Sequence, residues 1–264
     1  MSIAFKNRPA LVAYVTCGDP DLSTTRDIIL AAAETGADVV ELGVPFSDPV
    51  ADGSVIQRAS ERALRNGTTL AQVLELGRVV RKRSDVGLII FTYLNPVLRF
   101  GVTRFCSAAS DAGIDGALVT DLTVEEAGEY IRCMRARGLD TIFLAAPTSP
   151  DHRLKRIADV SRGFVYAVSR TGVTGARKQM TGDAETLVER LRRLTKLPIA
   201  VGFGISTPEQ FAAVGRYADA VVVGSAIVQV IEGAPRGREA SAVGAWVGNL
   251  LGNSQKEFAA AEMR

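Results

Sequence analysis

The sequence has a single histidine, His152, among its 264 residues. A metal site built on several histidines is therefore excluded by inventory, and no metal is expected. Cysteine is also scarce: Cys17, Cys106 and Cys133 make an odd number and contain no CxxC pair. This pattern favours reduced thiols in the cytoplasm over a disulfide framework.

The chain also lacks strong charge and long apolar runs. Its formal net charge is only +2, and no basic stripe is interleaved with aromatic residues, so nucleic acid is not an expected partner. No run of about 18 apolar residues predicts a membrane span, and no signal peptide is indicated. A chain with 47% hydrophobic and 23% charged residues is instead typical of a globular protein with a large core.

Short β-branched runs alternate with longer amphipathic segments. The runs are apolar and free of internal proline, as is typical of strands buried on both faces of a parallel sheet. Strands are predicted at 10–16, 38–42, 87–92, 116–120, 141–145, 164–168, 198–201 and 219–223. Helices are predicted at 22–35, 70–83, 102–112, 124–137, 151–160, 184–195 and 208–215, then at 225–231 and from about 239 to 253. This order predicts one α/β domain over residues 1–264, a (β/α)8 TIM barrel with a short extra helix after strand eight, although an open doubly wound sheet is the alternative.

The segment ADVVELGVPFSDPVADG places a carboxylate in the second strand. Period two puts Val40 and Leu42 on one face and Val39 and Glu41 on the other. If Val40 and Leu42 pack against helices, Glu41 points into the barrel near the carboxyl-terminal end of its strand. Barrel enzymes carry their catalytic groups at that end. Because a buried carboxylate is costly unless it is paired or used, a structural glutamate bonded to a neighbouring strand is the alternative.

Asp52 lies eleven residues further on, in a loop punctuated by proline and glycine. From the residues alone, a turn or N-cap aspartate before a helix near Ser54 is slightly favoured over a catalytic group, and the same applies to Asp48. None of the six lysines follows a predicted strand, so Schiff-base chemistry is disfavoured. General acid–base catalysis remains as the chemistry available to Glu41 and Asp52.

Two glycine-containing loops predict a phosphate site. GFGIS, with Gly204, follows strand seven, while Gly224 and Ser225 follow strand eight and open the short extra helix. Barrels bind phosphate through these two loops and this helix, whose free N–H groups and dipole attract an anion. Residues 169–182 contain three glycines and are interpreted either as a lid that closes over substrate or as a surface loop.

Together these blocks resemble the tryptophan synthase α-chain family. ELGVPFSDPVADG is the most specific block, and VTCGDP, SRTGVTG, VGFGIS and VVVGSAIV agree with it in order, over residues 9–232. The resemblance implies a lyase of tryptophan biosynthesis that cleaves indole-3-glycerol phosphate to indole and glyceraldehyde 3-phosphate. It also implies that Glu41 protonates the indole C3 and deprotonates the glycerol hydroxyl in turn, while ionised Asp52 binds the indole N–H.

The remaining site residues are implied by the same resemblance. The phosphate would be bound by Gly175, Gly204, Gly224 and Ser225. The substrate pocket would be lined by Tyr14, Ile56, Leu118, Tyr166, Thr174 and Phe203. Thr174 would contact Asp52 on closure, whereas a plain core role competes for Ile56 and Leu118. The family more often has a proline in place of Thr123 and a helix before the first strand, so that loop and the covering of the barrel bottom are expected to differ.

The resemblance finally implies a partner, the tryptophan synthase β subunit, in an αββα heterotetramer that channels indole. This chain would hold no cofactor, since pyridoxal phosphate belongs to the partner. The expected contact surfaces are residues 45–48 and 95–99. A stand-alone lyase that releases free indole, a non-catalytic phosphate-binding regulatory module and, more distantly, a sugar-phosphate epimerase or isomerase are the alternatives.

Overall fold

A computed structural model describes residues 3–168, 180–202 and 204–262, with side chains described except at 180–182 and 253–262. Within these residues nine parallel strands form one sheet, in the order β5-β4-β3-β2-β1-β9-β8-β7-β6. They are β1 (Ala10–Thr16), β2 (Val39–Gly43), β3 (Gly87–Thr92), β4 (Gly116–Val119), β5 (Asp140–Ile142), β6 (Leu144–Ala145), β7 (Val165–Val168), β8 (Ile199–Gly202) and β9 (Ala220–Val223). Since β5 and β6, at the two ends of this order, are separated by Phe143 alone, the sheet forms a nearly closed barrel. The barrel prediction is confirmed, and the open doubly wound alternative is wrong.

The fifth predicted strand needs correction. Residues 141–145 were expected to form one strand, but the structure divides this stretch at Phe143, whose carbonyl accepts a hydrogen bond from the Tyr166 N–H at 3.2 Å. β5 pairs with β4, whereas β6 pairs with β7. The stretch therefore divides because its two halves bond to opposite neighbours where the barrel closes.

Helices surround the described part of the barrel. They are α1 (Leu22–Thr35), α2 (Ser54–Arg65), α3 (Leu70–Arg81), α4 (Leu94–Phe100), α5 (Val102–Asp111), α6 (Gly128–Ala136), α7 (Asp151–Val160), α8 (Met180–Arg192), α9 (Pro208–Gly215), α10 (Ser225–Gly233) and α11 (Glu239–Glu262). The predicted helices omitted α4, whereas α2 begins at Ser54, where a helix was expected to start. α6 begins at Gly128 instead of residue 124 because residues 124–127 form turns. Across the described ranges, every helix is too short or too polar to cross a membrane.

The alternation of side chains along each strand separates two apolar cores. The inner core fills the barrel and contains Ile3, Ala10, Val12, Val39, Ile89, Leu118, Ile142, Phe164, Tyr166, Ala200, Ala220 and Val222. The outer core takes the other face of each strand, such as Val40 and Leu42 of β2, and packs it against the helices. The pleat of a strand thereby decides whether a side chain points into the barrel or towards the helices.

An irregular segment, residues 3–9, covers the amino-terminal end of the barrel. Ile3 is buried in the inner core, and the ring of Phe5 lies 5.6 Å from the ring of Phe164. The N–H of Ile3 bonds to Asp140 Oδ2 at 2.8 Å. Since this segment contains no helix, the expected difference at the bottom of the barrel is present.

Candidate active site

Glu41 lies in β2, with Tyr14 of β1 and Ile89 of β3 as its neighbours across the sheet. It shares the inner face with Val39, as the strand alternation predicts. Only 1% of its surface is exposed, and Oε1 has no hydrogen-bond partner among the described residues. Burial raises the pKa of Glu41 from 4.5 to about 8. A carboxyl group in this condition is largely protonated at neutral pH and can donate its proton.

Asp52 lies in the loop between β2 and α2, with 8% of its surface exposed. Its Oδ2 accepts a hydrogen bond from the Tyr93 hydroxyl at 3.0 Å, and its backbone carbonyl accepts one from Gln57 Nε2 at 2.8 Å. Burial raises the pKa of Asp52 to about 6, against the opposing effect of the bond from Tyr93. The N-cap of α2 is Gly53, so the Asp52 carboxylate does not cap that helix. Asp48, by contrast, is exposed.

Tyr14 and Tyr166 are the aromatic neighbours of these carboxyl groups. Burial raises both tyrosine pKa values well above 10, and the negative charges of Asp52 and Glu41 raise them further. Each hydroxyl occupies space that a glycine leaves open. A Cβ at Gly43 would lie 2.3 Å from Tyr14 Oη, and one at Gly202 would lie 2.3 Å from Tyr166 Oη. The structure therefore brings Glu41, Asp52 and both tyrosines to one end of the barrel.

The other predicted pocket residues fall into three groups. Ile56 of α2 packs against a small cluster around Tyr14, and Leu118 is fully buried in the inner core. Phe203 and Thr174 lie outside the described residues. Phe91 was not predicted, although its ring meets that of Tyr14 edge-on at 5.2 Å. Its place on the inner face of β3 was the signal that could have identified it.

Gly204, Gly224 and Ser225 follow the last two strands as predicted. Gly204 has φ +74, and a Cβ at this position would meet no atom within 4 Å. Gly224 is the N-cap of α10, without a side-chain cap bond, and Ser225 is the first residue of that helix. A Cβ on Gly224 would lie 3.5 Å from Tyr14 Cβ, which places the start of α10 beside Tyr14. Gly175 lies outside the described residues.

Sequence reasoning missed an ion-pair network that joins the first loop of the barrel to α10. Arg62 of α2 bonds Asp19 through two nitrogens, both at 2.8 Å, and bonds Glu232 of α10 at 2.8 Å. Arg58 also pairs with Glu232, at 3.1 Å. Asp19 is buried, so its pairing with Arg62 satisfies a charge that would otherwise be costly. The network fixes α10 relative to the end of β1.

Fold and site together define a (β/α)8-barrel enzyme with buried carboxyl groups at the carboxyl ends of its strands. In the described ranges no group of three or more histidine, cysteine, aspartate or glutamate side chains is placed to hold a metal ion. The family model described as "Tryptophan synthase alpha chain" matches residues 2–250. The chain therefore belongs to the tryptophan synthase alpha chain family, whose reaction is the cleavage of indole-3-glycerol phosphate.

Individual relatives agree with this membership. The tryptophan synthase alpha chain of Solibacter usitatus is 56% identical over 227 residues, which cover 86% of this chain and 85% of that protein. That of Geobacter sulfurreducens is 50% identical over 250 residues, with 94% and 95% covered. A structure of the tryptophan synthase a2b2 complex of Pyrococcus furiosus matches with a TM-score of 0.86 and 43% identity, covering 93% of this chain and 98% of that one. A structure of Mycobacterium tuberculosis tryptophan synthase matches with a TM-score of 0.86 and 37% identity, covering 94% and 93%.

Proposed function

We propose that this chain cleaves indole-3-glycerol phosphate to indole and glyceraldehyde 3-phosphate, with Glu41 as the general acid and base and Asp52 as its electrostatic partner. The observation that carries the proposal is the burial of the Glu41 carboxyl group inside the barrel. Its Oε1 has no hydrogen-bond partner among the described residues. Such a group costs stability, and catalysis is the gain that accounts for its presence at this end of the barrel. A pKa of about 8 suits an acid that must lose and regain a proton near neutral pH.

In the first step, protonated Glu41 donates its proton to C3 of the indole ring. The ring becomes an indolenine that carries a positive charge around its nitrogen. Ionised Asp52 accepts a hydrogen bond from the N–H and stabilises this charge. With a pKa of about 6, Asp52 is mostly ionised at pH 7, while Glu41 is still mostly protonated. The two carboxyl groups therefore differ in protonation state because they differ in burial and bonding.

In the second step, the Glu41 carboxylate removes the proton from the glycerol hydroxyl next to the ring. The carbon–carbon bond to C3 breaks, and its electron pair returns to the indolenine, which becomes indole. The hydroxyl-bearing carbon becomes the aldehyde of glyceraldehyde 3-phosphate. Glu41 ends the cycle protonated again, so no net proton is consumed. One side chain can serve both steps because the two reacting groups are adjacent in the substrate.

The substrate phosphate would be held at the start of α10, by Gly204, Gly224 and Ser225 together with Gly175. Free N–H groups in the first turn of a helix attract a dianion, and Gly204 leaves room for its approach. The indole ring would lie in a pocket formed by Tyr14, Ile56, Leu118, Tyr166, Thr174 and Phe203. This arrangement would tether the substrate by one end and leave its ring near the carboxyl groups.

We also propose that the chain works as one domain over residues 1–264, in the cytoplasm. Free cysteines, of which Cys17 and Cys106 are buried, are consistent with a reducing compartment. Its partner is the tryptophan synthase β subunit, in the αββα assembly, and the pyridoxal phosphate belongs to that subunit. Residues 45–48 and 95–99 would form the contact. The exposure of Leu98 (56%), within the second segment, and of Val50 (78%), two residues beyond the first, supports an interface there.

The direct test is to incubate the purified chain with indole-3-glycerol phosphate and to measure indole and glyceraldehyde 3-phosphate. A β subunit is then titrated in, without serine, so that indole is not consumed. We expect equimolar products and a turnover that rises until one β subunit is present per chain. If turnover is already full without the β subunit and does not rise when it is added, the chain is the stand-alone lyase. If neither product forms in either condition, the chain is a non-catalytic module and the proposal is wrong.

A further inference from the structure

Tyr93 connects two loops at the carboxyl end of the barrel. It follows the last residue of β3 and is 3% exposed. Its hydroxyl donates a hydrogen bond to Asp52 Oδ2 at 3.0 Å and accepts one from the Ala51 N–H, also at 3.0 Å. A single hydroxyl group thus holds both the backbone and the carboxylate of the loop that carries Asp52.

The position of Tyr93 is itself fixed from two sides. The ring of Phe46 lies 5.1 Å from the Tyr93 ring, with 32° between their planes. The next residue, Leu94, donates its N–H to Asp121 Oδ1 at 2.7 Å, which ties the start of α4 to the loop after β4. Because the ring and the backbone of Tyr93 are both held, its hydroxyl has a fixed position. The hydrogen bond from this hydroxyl therefore constrains the orientation of the Asp52 carboxylate.

We propose that Tyr93 is a positioning residue for the reaction proposed above, and that its hydroxyl holds the Asp52 carboxylate in the orientation that accepts the indole N–H. This inference rests on the proposed function. A hydrogen bond donated to a carboxylate favours the charged form, and the bond from Tyr93 opposes the rise that burial causes in the pKa of Asp52. Tyr93 would therefore act on both the direction and the ionisation of Asp52, without touching the substrate.

The neutral surroundings of Asp52 make the hydrogen bond from Tyr93 important. The titratable groups that interact with it from other elements are Tyr93, Tyr14 and Tyr166, and those tyrosines in turn interact with Asp121 or Glu41. All three tyrosines have pKa values raised above 10, so they are neutral near pH 7. Within the described residues no cation bonds the Asp52 carboxylate, and the Tyr93 hydroxyl is its stabilising partner.

The test is a double-mutant cycle in the full-length chain, with Tyr93→Phe, Asp52→Asn and the two combined. Removing a hydrogen bond to a charged group should lower kcat roughly tenfold, with little change in KM. If Tyr93 acts through Asp52, the same substitution in the Asp52→Asn background should change kcat less than about twofold. Tyr130→Phe is the matched control, because it removes a buried hydroxyl that bonds the Ala117 carbonyl at 3.1 Å, away from the site.

A second measurement does not depend on turnover. Carbon-13 spectra of labelled aspartate, assigned by the loss of one signal in Asp52→Asn, give the titration of Asp52 in the substrate-free chain. Tyr93→Phe should raise the pKa of Asp52, and the acid limb of the pH–kcat profile should move upward with it, whereas Tyr130→Phe should leave both in place. An unchanged Asp52 titration in folded Tyr93→Phe, or equal losses of kcat in both backgrounds, would overturn the inference. If wild type gives no products but the titration shifts as expected, the proposed function has failed and the Tyr93–Asp52 link has not.

Discussion

At the amino-terminal end of the barrel, Asp38, Asp115, Asp140 and Asp219 stand at the starts of strands and accept hydrogen bonds from backbone N–H groups. The donors are Leu11 at 3.0 Å and Leu88, Ile3 and Ile199 at 2.8 Å. Arginines add ion pairs, such as Arg81 to Asp115 and Arg192 to Asp219, both at 2.6 Å. At the carboxyl end, Glu41 is as buried as Asp140, yet its Oε1 has no partner among the described residues. The aspartate carboxylates at the amino-terminal end thus accept backbone hydrogen bonds, whereas Glu41 Oε1 at the carboxyl end accepts none from the described residues.

This difference separates stability from chemistry. A buried carboxylate that accepts backbone N–H groups satisfies donors that would otherwise be lost, so the aspartates at the bottom hold strands and the N-terminal segment together. The Glu41 carboxyl group contributes no such bond through Oε1, and its burial disfavours its charged form. In barrel enzymes, the amino-terminal end serves stability and the carboxyl end serves catalysis. In this chain, the hydrogen-bond partners of each carboxyl group distinguish those that stabilise the fold from the one proposed to serve catalysis.

The largest effect is expected for Glu41→Gln, which keeps the shape of the side chain and removes its titrating proton. Because Glu41 is proposed to serve as acid and then as base, cleavage should fall by about 10⁴-fold or more. Substrate-analogue binding should change little. Product formation measured over long incubations gives the residual rate. Glu61→Gln, an exposed glutamate of α2, is the control, and wild-type-like turnover of Glu41→Gln would refute the role of Glu41.

Asp52→Asn should come next, with kcat reduced by about 10²- to 10³-fold. The amide carries no charge to stabilise the indolenine. Steady-state kinetics should place the loss in kcat more than in KM. Asp48→Asn in the same loop removes an exposed charge and should leave the isolated chain unchanged. Equal losses in the two variants would mean that the loop needs its charge for folding and not for the reaction.

Much of this site followed from local pattern. The strand alternation from Val39 to Leu42 placed Glu41 inside the barrel, since a one-residue shift would have exposed the apolar face. The bounds of β1 were predicted to the residue, because a β-branched run between polar turns admits few alternatives. α4 escaped notice because seven residues with Pro96 inside show no helical period. The bond between Tyr93 and Asp52 joins residues 41 apart, and only the folded barrel brings them together.

Stability should respond to Glu41→Gln in the direction opposite to activity. The folded-state pKa of about 8 exceeds the ordinary 4.5, so the folded chain binds this proton more tightly and loses stability as pH rises from 4.5 to 8. Gln does not titrate. The variant should therefore exceed wild type by on the order of 3 kcal/mol at pH 7, and by little at pH 4. Urea unfolding at both pH values measures the difference; a gain at pH 4 that equals the gain at pH 7 would show that the cause is not the proton.

The smallest effect is expected for substitutions of Asp38, at the amino-terminal end of the barrel, and it concerns the free energy of unfolding. Asp38 Oδ2 accepts the N–H of Leu11, and Oδ1 accepts those of Lys6 and Asn7 at 2.9 and 3.1 Å. Asp38→Ala should lower the free energy of unfolding by about 2 kcal/mol, since the N–H of Leu11 is left buried without its partner. Asp38→Asn keeps one acceptor oxygen and should lose less.

Activity per folded molecule should stay at the wild-type level in both Asp38 variants, because Asp38 lies at the amino-terminal end of the barrel and Glu41 and Asp52 face the carboxyl end. Melting and steady-state assays on the same samples separate the two quantities. If Asp38→Ala lost turnover while its melting temperature held, the amino-terminal aspartates would be coupled to the reaction, and the division between a bonded end and a reactive end would not hold. If both Asp38 variants lost stability equally, the charge of Asp38 and not its acceptor geometry would be what holds the N-terminal segment.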